Sequence, residues 1–172
     1  MGRTAVYRFH KKGFAMKEIC TAIEIAAPAA LVWQILTDFD KLKEWNPFLR
    51  KVTGELKQGA RIAVEIGAPG ASPMTFQPTL LAVEPNRELR WIGRLFFPGL
   101  FDGEHRFLLE PLGDNQTRFV HSEQFSGLLI PMMAKMLDTD TSRGFEAMNA
   151  ALKARAESSV YSVKEDAALL AK

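Results

Sequence analysis

Cysteine is nearly missing from this chain. Cys20 is alone among 172 residues, so no disulfide can form within it, and a reducing, cytoplasmic setting is expected. No apolar run is long enough to span a bilayer. Residues 1–20 lack the apolar stretch of a secretion signal, so Asn115-Gln116-Thr117, which matches a glycosylation acceptor, reads as a turn. Net charge is also small: 22 Lys and Arg against 20 Asp and Glu leave +2, which argues neither for nor against nucleic acid. There is no G-x-x-x-x-G-K-[ST], no G-x-G-x-x-G after a strand, no H-E-x-x-H, no C-x-x-C and no G-x-S-x-G. No internal repeat or low-complexity tract is visible. What remains is one domain with a substantial core, for which we expect no cofactor, no metal and no nucleic-acid partner.

The pattern of what is present divides the chain. Residues 1–16 carry Arg3, Arg8, Lys11 and Lys12 with little apolar periodicity and read as a mobile basic arm. A single domain follows over 17–159, and 160–172 reads as a tail. Ile19, Thr21, Ile23 and Ile25 alternate, giving strand one over 18–26. Pro28 opens a short helix with Leu31, Val32, Ile35 and Leu36 on its buried face. A second short helix carries Phe39, Leu42 and Trp45 and is stopped by Pro47. Six further strands follow at 49–56, 61–66, 75–83, 89–96, 104–112 and 117–125, separated by short turns. Pro78 inside the fourth strand implies a bulge or bend.

Residues 127–159 read as one long helix, with Ser126 as cap and Pro131 in the first turn. Met133, Leu137, Thr141, Phe145, Met148 and Leu152 recur every three or four positions and share a face. Gly144 interrupts that helix at a cost of about 1 kcal/mol relative to Ala. It marks either close approach of a ligand or backbone, or an ordinary packing glycine. The class is α+β: a curved seven-stranded antiparallel sheet gripping one long C-terminal helix, with two short helices after strand one.

Several stretches then resemble a known family. Ile23-Glu24-Ile25-Ala26-Ala27-Pro28, Val32-Trp33, Leu36-Thr37-Asp38-Phe39 and Trp45-Asn46-Pro47 look like the opening of SRPBCC proteins. That superfamily includes START lipid-transfer domains, the birch-pollen-allergen group and polyketide cyclase/dehydratase-like proteins. Leu89-Arg90-Trp91, Gly103-Glu104-His105-Arg106-Phe107, Glu123-Gln124-Phe125-Ser126-Gly127 and Gly144-Phe145-Glu146-Ala147-Met148-Asn149 resemble later parts of its bacterial members. The resemblance spans about 17–157. It implies a helix-grip fold with an apolar cavity between sheet and helix for a hydrophobic small molecule. It implies no catalytic residues, because the superfamily shares no catalytic set.

Strand alternation places the candidate site. Leu89, Trp91, Gly93 and Leu95 share a face, as do His105, Phe107 and Leu109, and Phe119, His121, Glu123 and Phe125. The inner surface then holds two histidines and a carboxylate among aromatics, and buried groups of that kind need partners. His105, His121 and Glu123 could move protons, anchor a ligand's polar group, or satisfy one another structurally. The tight local spacing of zinc ligands is absent. Trp91, His105, Phe107, Phe119, His121, Glu123, Phe145 and Met148 are the expected ligand-lining set. In an up-and-down sheet the loops 67–73, 97–103 and 126–131 share one end. Phe97, Leu100, Phe101, Leu129 and Met132 would form a rim there, which either touches membranes transiently or plugs that end as core. The first reading is a binding or carrier protein for a small lipid- or polyketide-like molecule. The alternatives are a cyclase/dehydratase-type enzyme and a partner-binding module with a filled core. Oligomeric state is not written in the pattern.

Overall fold

The computed structural model describes residues 5–7, 16–67, 72–132 and 137–170, without the side chains of 5–7, 137–138 and 163–170. The elements run β1 (Ala5–Tyr7), β2 (Met16–Ile25), α1 (Ala29–Thr37), a 3-10 turn (Phe39–Lys41), α2 (Leu42–Trp45), β3 (Leu49–Thr53), β4 (Ala63–Ile66), β5 (Met74–Phe76), β6 (Thr79–Glu84), β7 (Glu88–Arg94), β8 (Asp102–Gly113), β9 (Gln116–Ser126), a π-helical turn (Leu137–Thr141) and α3 (Ser142–Leu170). Pro28 ends the extended stretch before α1, and its carbonyl accepts from the Leu31 and Val32 N–H groups. At the end of α2 the Asn46 side chain accepts from the Phe48 and Leu49 N–H groups at 3.0 and 2.8 Å, turning the chain into β3.

Among the described residues the strands form two antiparallel sheets, β1-β2-β9-β8-β7-β6 and β3-β4-β5, not the single seven-stranded sheet expected. Pro78 supplies the reason. It has no N–H for a ladder, and the strand expected over 75–83 breaks at Gln77-Pro78 into β5, which pairs with β4, and β6, which pairs with β7. The sheets stay joined: Gly59 N–H donates to Leu80 O, Leu80 N–H to Ala60 O, and Ile62 N–H to Pro78 O. β1, inside the expected mobile arm, pairs with β2 through Ala5, Val6 and Tyr7. Met16, the last residue of that arm, opens β2, and residues 1–4 and 8–15 lie outside the described residues.

The C-terminal helix differs from expectation at both ends. Ser126 closes β9 instead of capping a helix, and Gly127 turns the chain at φ 135° against the Leu100 carbonyl. Helical residues begin at Ile130, and 133–136 lie outside the described residues. At the far end α3 runs on through Leu170, past the 160–172 tail boundary. The helix packs on β2, with further contacts to β9 and α1. Phe145, Met148, Leu152 and Ala156 are all fully buried, and the three- and four-residue spacing predicts this face. A long helix held against a curved antiparallel sheet is the helix-grip arrangement. The sheet's outer face is ionic, with Arg90 on Glu104 at 2.9 Å and Arg106 on Glu88 at 3.1 Å.

Gly144 is a packing glycine. A Cβ there would collide with the Phe48 ring, which is buried between strands and helix and meets Phe145 edge-on at 5.6 Å.

Candidate functional site

Strand register builds the site in rows across the inner face. Nearest the β7–β8 loop lie Gly93, Gly103, Phe125 and Lys17; next come Trp91, His105, Glu123 and Ile19; then Leu89, Phe107, His121 and Thr21. α3 covers these rows and contributes Phe145, Met148 and Asn149. Trp91 stacks on His105 at 4.6 Å and 5°, and Phe145 stacks on His121 at 3.5 Å and 16°. Phe107 meets Trp91, His105, His121 and Phe119. The structure therefore brings together the aromatic and titratable residues of the expected lining set. Phe119 and Met148 are fully buried in the same core.

The polar groups form one chain. Asn149 Nδ2 donates to Thr21 Oγ1 at 2.8 Å, and the Thr21 hydroxyl donates to the His121 carbonyl at 3.3 Å. Asn149 Oδ1 then faces His121 Nδ1 at 3.0 Å and accepts a hydrogen bond from its N–H. Burial holds His121 well below the ordinary imidazole value, and the neighbouring His105 lowers it further against the opposing Asn149 bond. A neutral His121 protonated on Nδ1 offers a lone pair at Nε2, so His105 Nε2–H donates across 2.9 Å. His105 Nδ1 stands 3.3 Å from Glu123 Oε2 and ends the chain of contacts. Asn149, Thr21 and both histidines are at most 5 % exposed, whereas Glu123 keeps 15 % of its side chain open. The chain thus runs from beneath α3 to an outlet at Glu123.

Glu123 fits because Gly103 has no side chain: a Cβ there would stand 2.7 Å from Glu123 Oε1. Gly93, directly opposite Gly103, is covered by the Phe76 ring. The paired glycines notch the side-chain layer of the sheet, and the Glu123 carboxyl and the Phe76 ring fill that notch, next to Phe125, whose ring meets Phe101 at 5.6 Å. Above the notch the β7–β8 loop and the segment after β9 join through Leu128 N–H to Gly99 O and Leu129 N–H to Leu100 O. Of the expected rim residues, Phe97 and Met132 are exposed, while Leu100, Phe101 and Leu129 are half-buried. Leu95, Phe96 and Leu128 add to the exposed set, and Phe96 sits at φ 63°, a left-handed conformation rare for a bulky residue. Residues 68–71 of the third expected end loop lie outside the described residues.

Sequence reasoning missed Thr21, Asn149 and Gly103 as parts of this site. Thr21 alternates with Ile19 and Ile23, and Asn149 stands four residues after Phe145 on the helix stripe. Their faces were readable; their pairing depends on register and helix rotation. Lys17, paired in register with Phe125, is on the inner face and 9 % exposed. Cys20 points to the other face, and burial raises its thiol, with Glu18 adding to the shift, so it is not an activated nucleophile. Among the described residues no group of three or more His, Cys, Asp or Glu side chains could hold a metal ion. No described helix is long and apolar enough to cross a membrane.

The fold and this buried relay define a helix-grip domain with a polar thread through an aromatic interior. Residues 16–157 match the family described as polyketide cyclase / dehydrase and lipid transport, and the chain belongs to it. Similar solved structures include the Zhui aromatase/cyclase from Streptomyces sp. R1128, at 21 % identity and TM-score 0.69 over 84 % of this chain and 96 % of that one. A START superfamily protein from Mycobacterium smegmatis shares 22 % identity at TM-score 0.62, covering 82 % and 97 % of the two chains. Norcoclaurine synthase from Thalictrum flavum, solved with dopamine and hydroxybenzaldehyde, shares 15 % identity at TM-score 0.61, covering 84 % and 92 %. At these identities the likeness is one of fold. No curated protein matches the chain.

Proposed function

We propose that this protein binds a small hydrophobic molecule, lipid- or polyketide-like, between the sheet and α3. One observation carries the reading. A hydrogen-bonded polar thread crosses an aromatic interior and reaches its only partly open member, Glu123, in the paired-glycine notch below an exposed apolar rim. Trp91, Phe107, Phe119 and Phe145 are each at most 2 % exposed, so a ligand entering under the rim first meets Glu123, Phe125, Phe101 and Phe76. Burying its apolar body at about 25 cal/mol per Å² supplies affinity, and the carboxylate fixes its orientation. The exposed Phe96, Phe97, Leu128 and Met132 suit brief contact with a membrane during loading.

A second reading, a cyclase/dehydratase-type enzyme working on an apolar substrate, is favoured by the contact of the His105 imidazole with the Glu123 carboxyl at 3.3 Å. That pair could give or take a proton at a ligand carbon or oxygen beside it. Native mass spectrometry of gently purified protein, followed by solvent extraction, tests the binding reading. A reproducible apolar passenger is expected. An empty protein that also takes up no apolar probe would sink it, and turnover abolished by His105→Ala would move the conclusion to the enzyme.

A further inference from the structure

The polarity of the buried thread limits what the ligand can be. From the interior outward every proton is assigned: Thr21 to a carbonyl, Asn149 to Thr21, His121 Nδ1–H to Asn149, and His105 Nε2–H to His121. A hydrogen bond between His105 Nδ1 and Glu123 Oε2, 3.3 Å apart, has its proton on one atom or the other. If it rests on His105, Glu123 is a carboxylate; if on Oε2, the other oxygen is a carbonyl. In both cases Oε1 carries lone pairs only. Oε1 lies at Gly103, in the notch and on the row below the rim.

Resting on the binding reading above, we infer that the ligand bears a hydrogen-bond donor, an alcohol or phenol hydroxyl, that docks on Glu123 Oε1. An acceptor-only head group, an ether or ester, leaves Oε1 desolvated and unpaired, and a carboxylate meets it with lone pairs against lone pairs. Lys17, whose strand position lies opposite Phe125 beside the notch, is the group that could argue otherwise.

The test compares 1-decanol, decyl methyl ether and decanoate, matched in chain length, by displacement of a fluorescent apolar probe from the full chain. A hydrogen bond to that carboxyl oxygen implies a preference for decanol over the ether of about tenfold. Glu123→Gln, which can turn an amide donor toward the notch, should erase or reverse that preference while ether binding persists. Gly103→Ala, whose Cβ would occupy the position beside Oε1, should weaken decanol more than the ether and gives an independent check should the first variant fold poorly. Equal binding of all three overturns the inference and leaves hydrophobic binding intact. Tightest binding of decanoate, lost in Lys17→Met, also overturns it and makes Lys17 the anchor. Binding of none overturns both this inference and the binding reading.

Discussion

Replacing Gly144 with alanine exposes the packing logic of the helix, because two effects of opposite sign meet there. In an open helix interior the change would stabilise by about 1 kcal/mol. Here the new Cβ meets the Phe48 ring, whose Cγ would be only 3.0 Å away, with other ring atoms closer. The ring cannot simply swing aside. It packs against Phe145, the Phe48 N–H is held by Asn46, and its carbonyl accepts from Gly67 N–H. Overpacking of this kind costs about 1–3 kcal/mol. The net is then a loss of about 0–2 kcal/mol, and at its midpoint a fall in Tm of about 2–4 °C for a chain of this size. The sharper test is a sign reversal. Phe48→Ala alone costs about 3–5 kcal/mol, but in that background Gly144→Ala has nothing to strike and should stabilise by about 1 kcal/mol. Urea unfolding of the four proteins in the cycle reads this coupling. Stabilisation by Gly144→Ala in the presence of Phe48 would refute the argument.

Two more consequences follow from the buried thread. His121 is held below its ordinary value of 6.5, so the unfolded chain binds a proton there that the native state does not. Its stabilising contribution is present above about pH 6.5 and is lost as pH falls, by at most about 1.4 kcal/mol per pH unit. Urea unfolding at pH 7.5 and 5.5 should show this dependence reduced in His121→Gln, and an unchanged dependence would count against the assignment. Asn149→Leu strands the His121 Nδ1–H and should cost about 1–3 kcal/mol. Long-range ¹H–¹⁵N spectra should find the His121 proton on Nδ1 in the native protein and moved from it in the variant; the same tautomer in both would show that Asn149 does not set it.

Much of the architecture was legible because short-range pattern determines it. The alternation of Ile19, Thr21, Ile23 and Ile25, and of His105, Phe107 and Leu109, assigns faces without knowledge of any neighbour, since side chains on a strand must alternate. The spacing of Phe145, Met148 and Leu152 marks the buried side of the helix for the same reason. Even Pro78 announced trouble in its strand; what the pattern lacked was that the break would divide one sheet into two, because that depends on which neighbours the two halves find. Helix ends were misread where contacts outvoted local signals, with Gly127 turning the chain against the Leu100 carbonyl before any helix begins.

The candidate site divides along the same line. Sequence alone placed His105, His121, Glu123 and Trp91 on one surface, because period-two geometry requires it. Only the tertiary structure decided that His105 stands directly across from Glu123 and diagonally from His121, that Asn149 reaches down from the helix to Thr21, and that Gly103 makes room for the carboxylate. Those contacts join residues 16 to 128 positions apart. Hydrogen bonds across such distances are set by strand register and by how far the helix is rotated over the sheet, and no local spacing in the chain encodes either one.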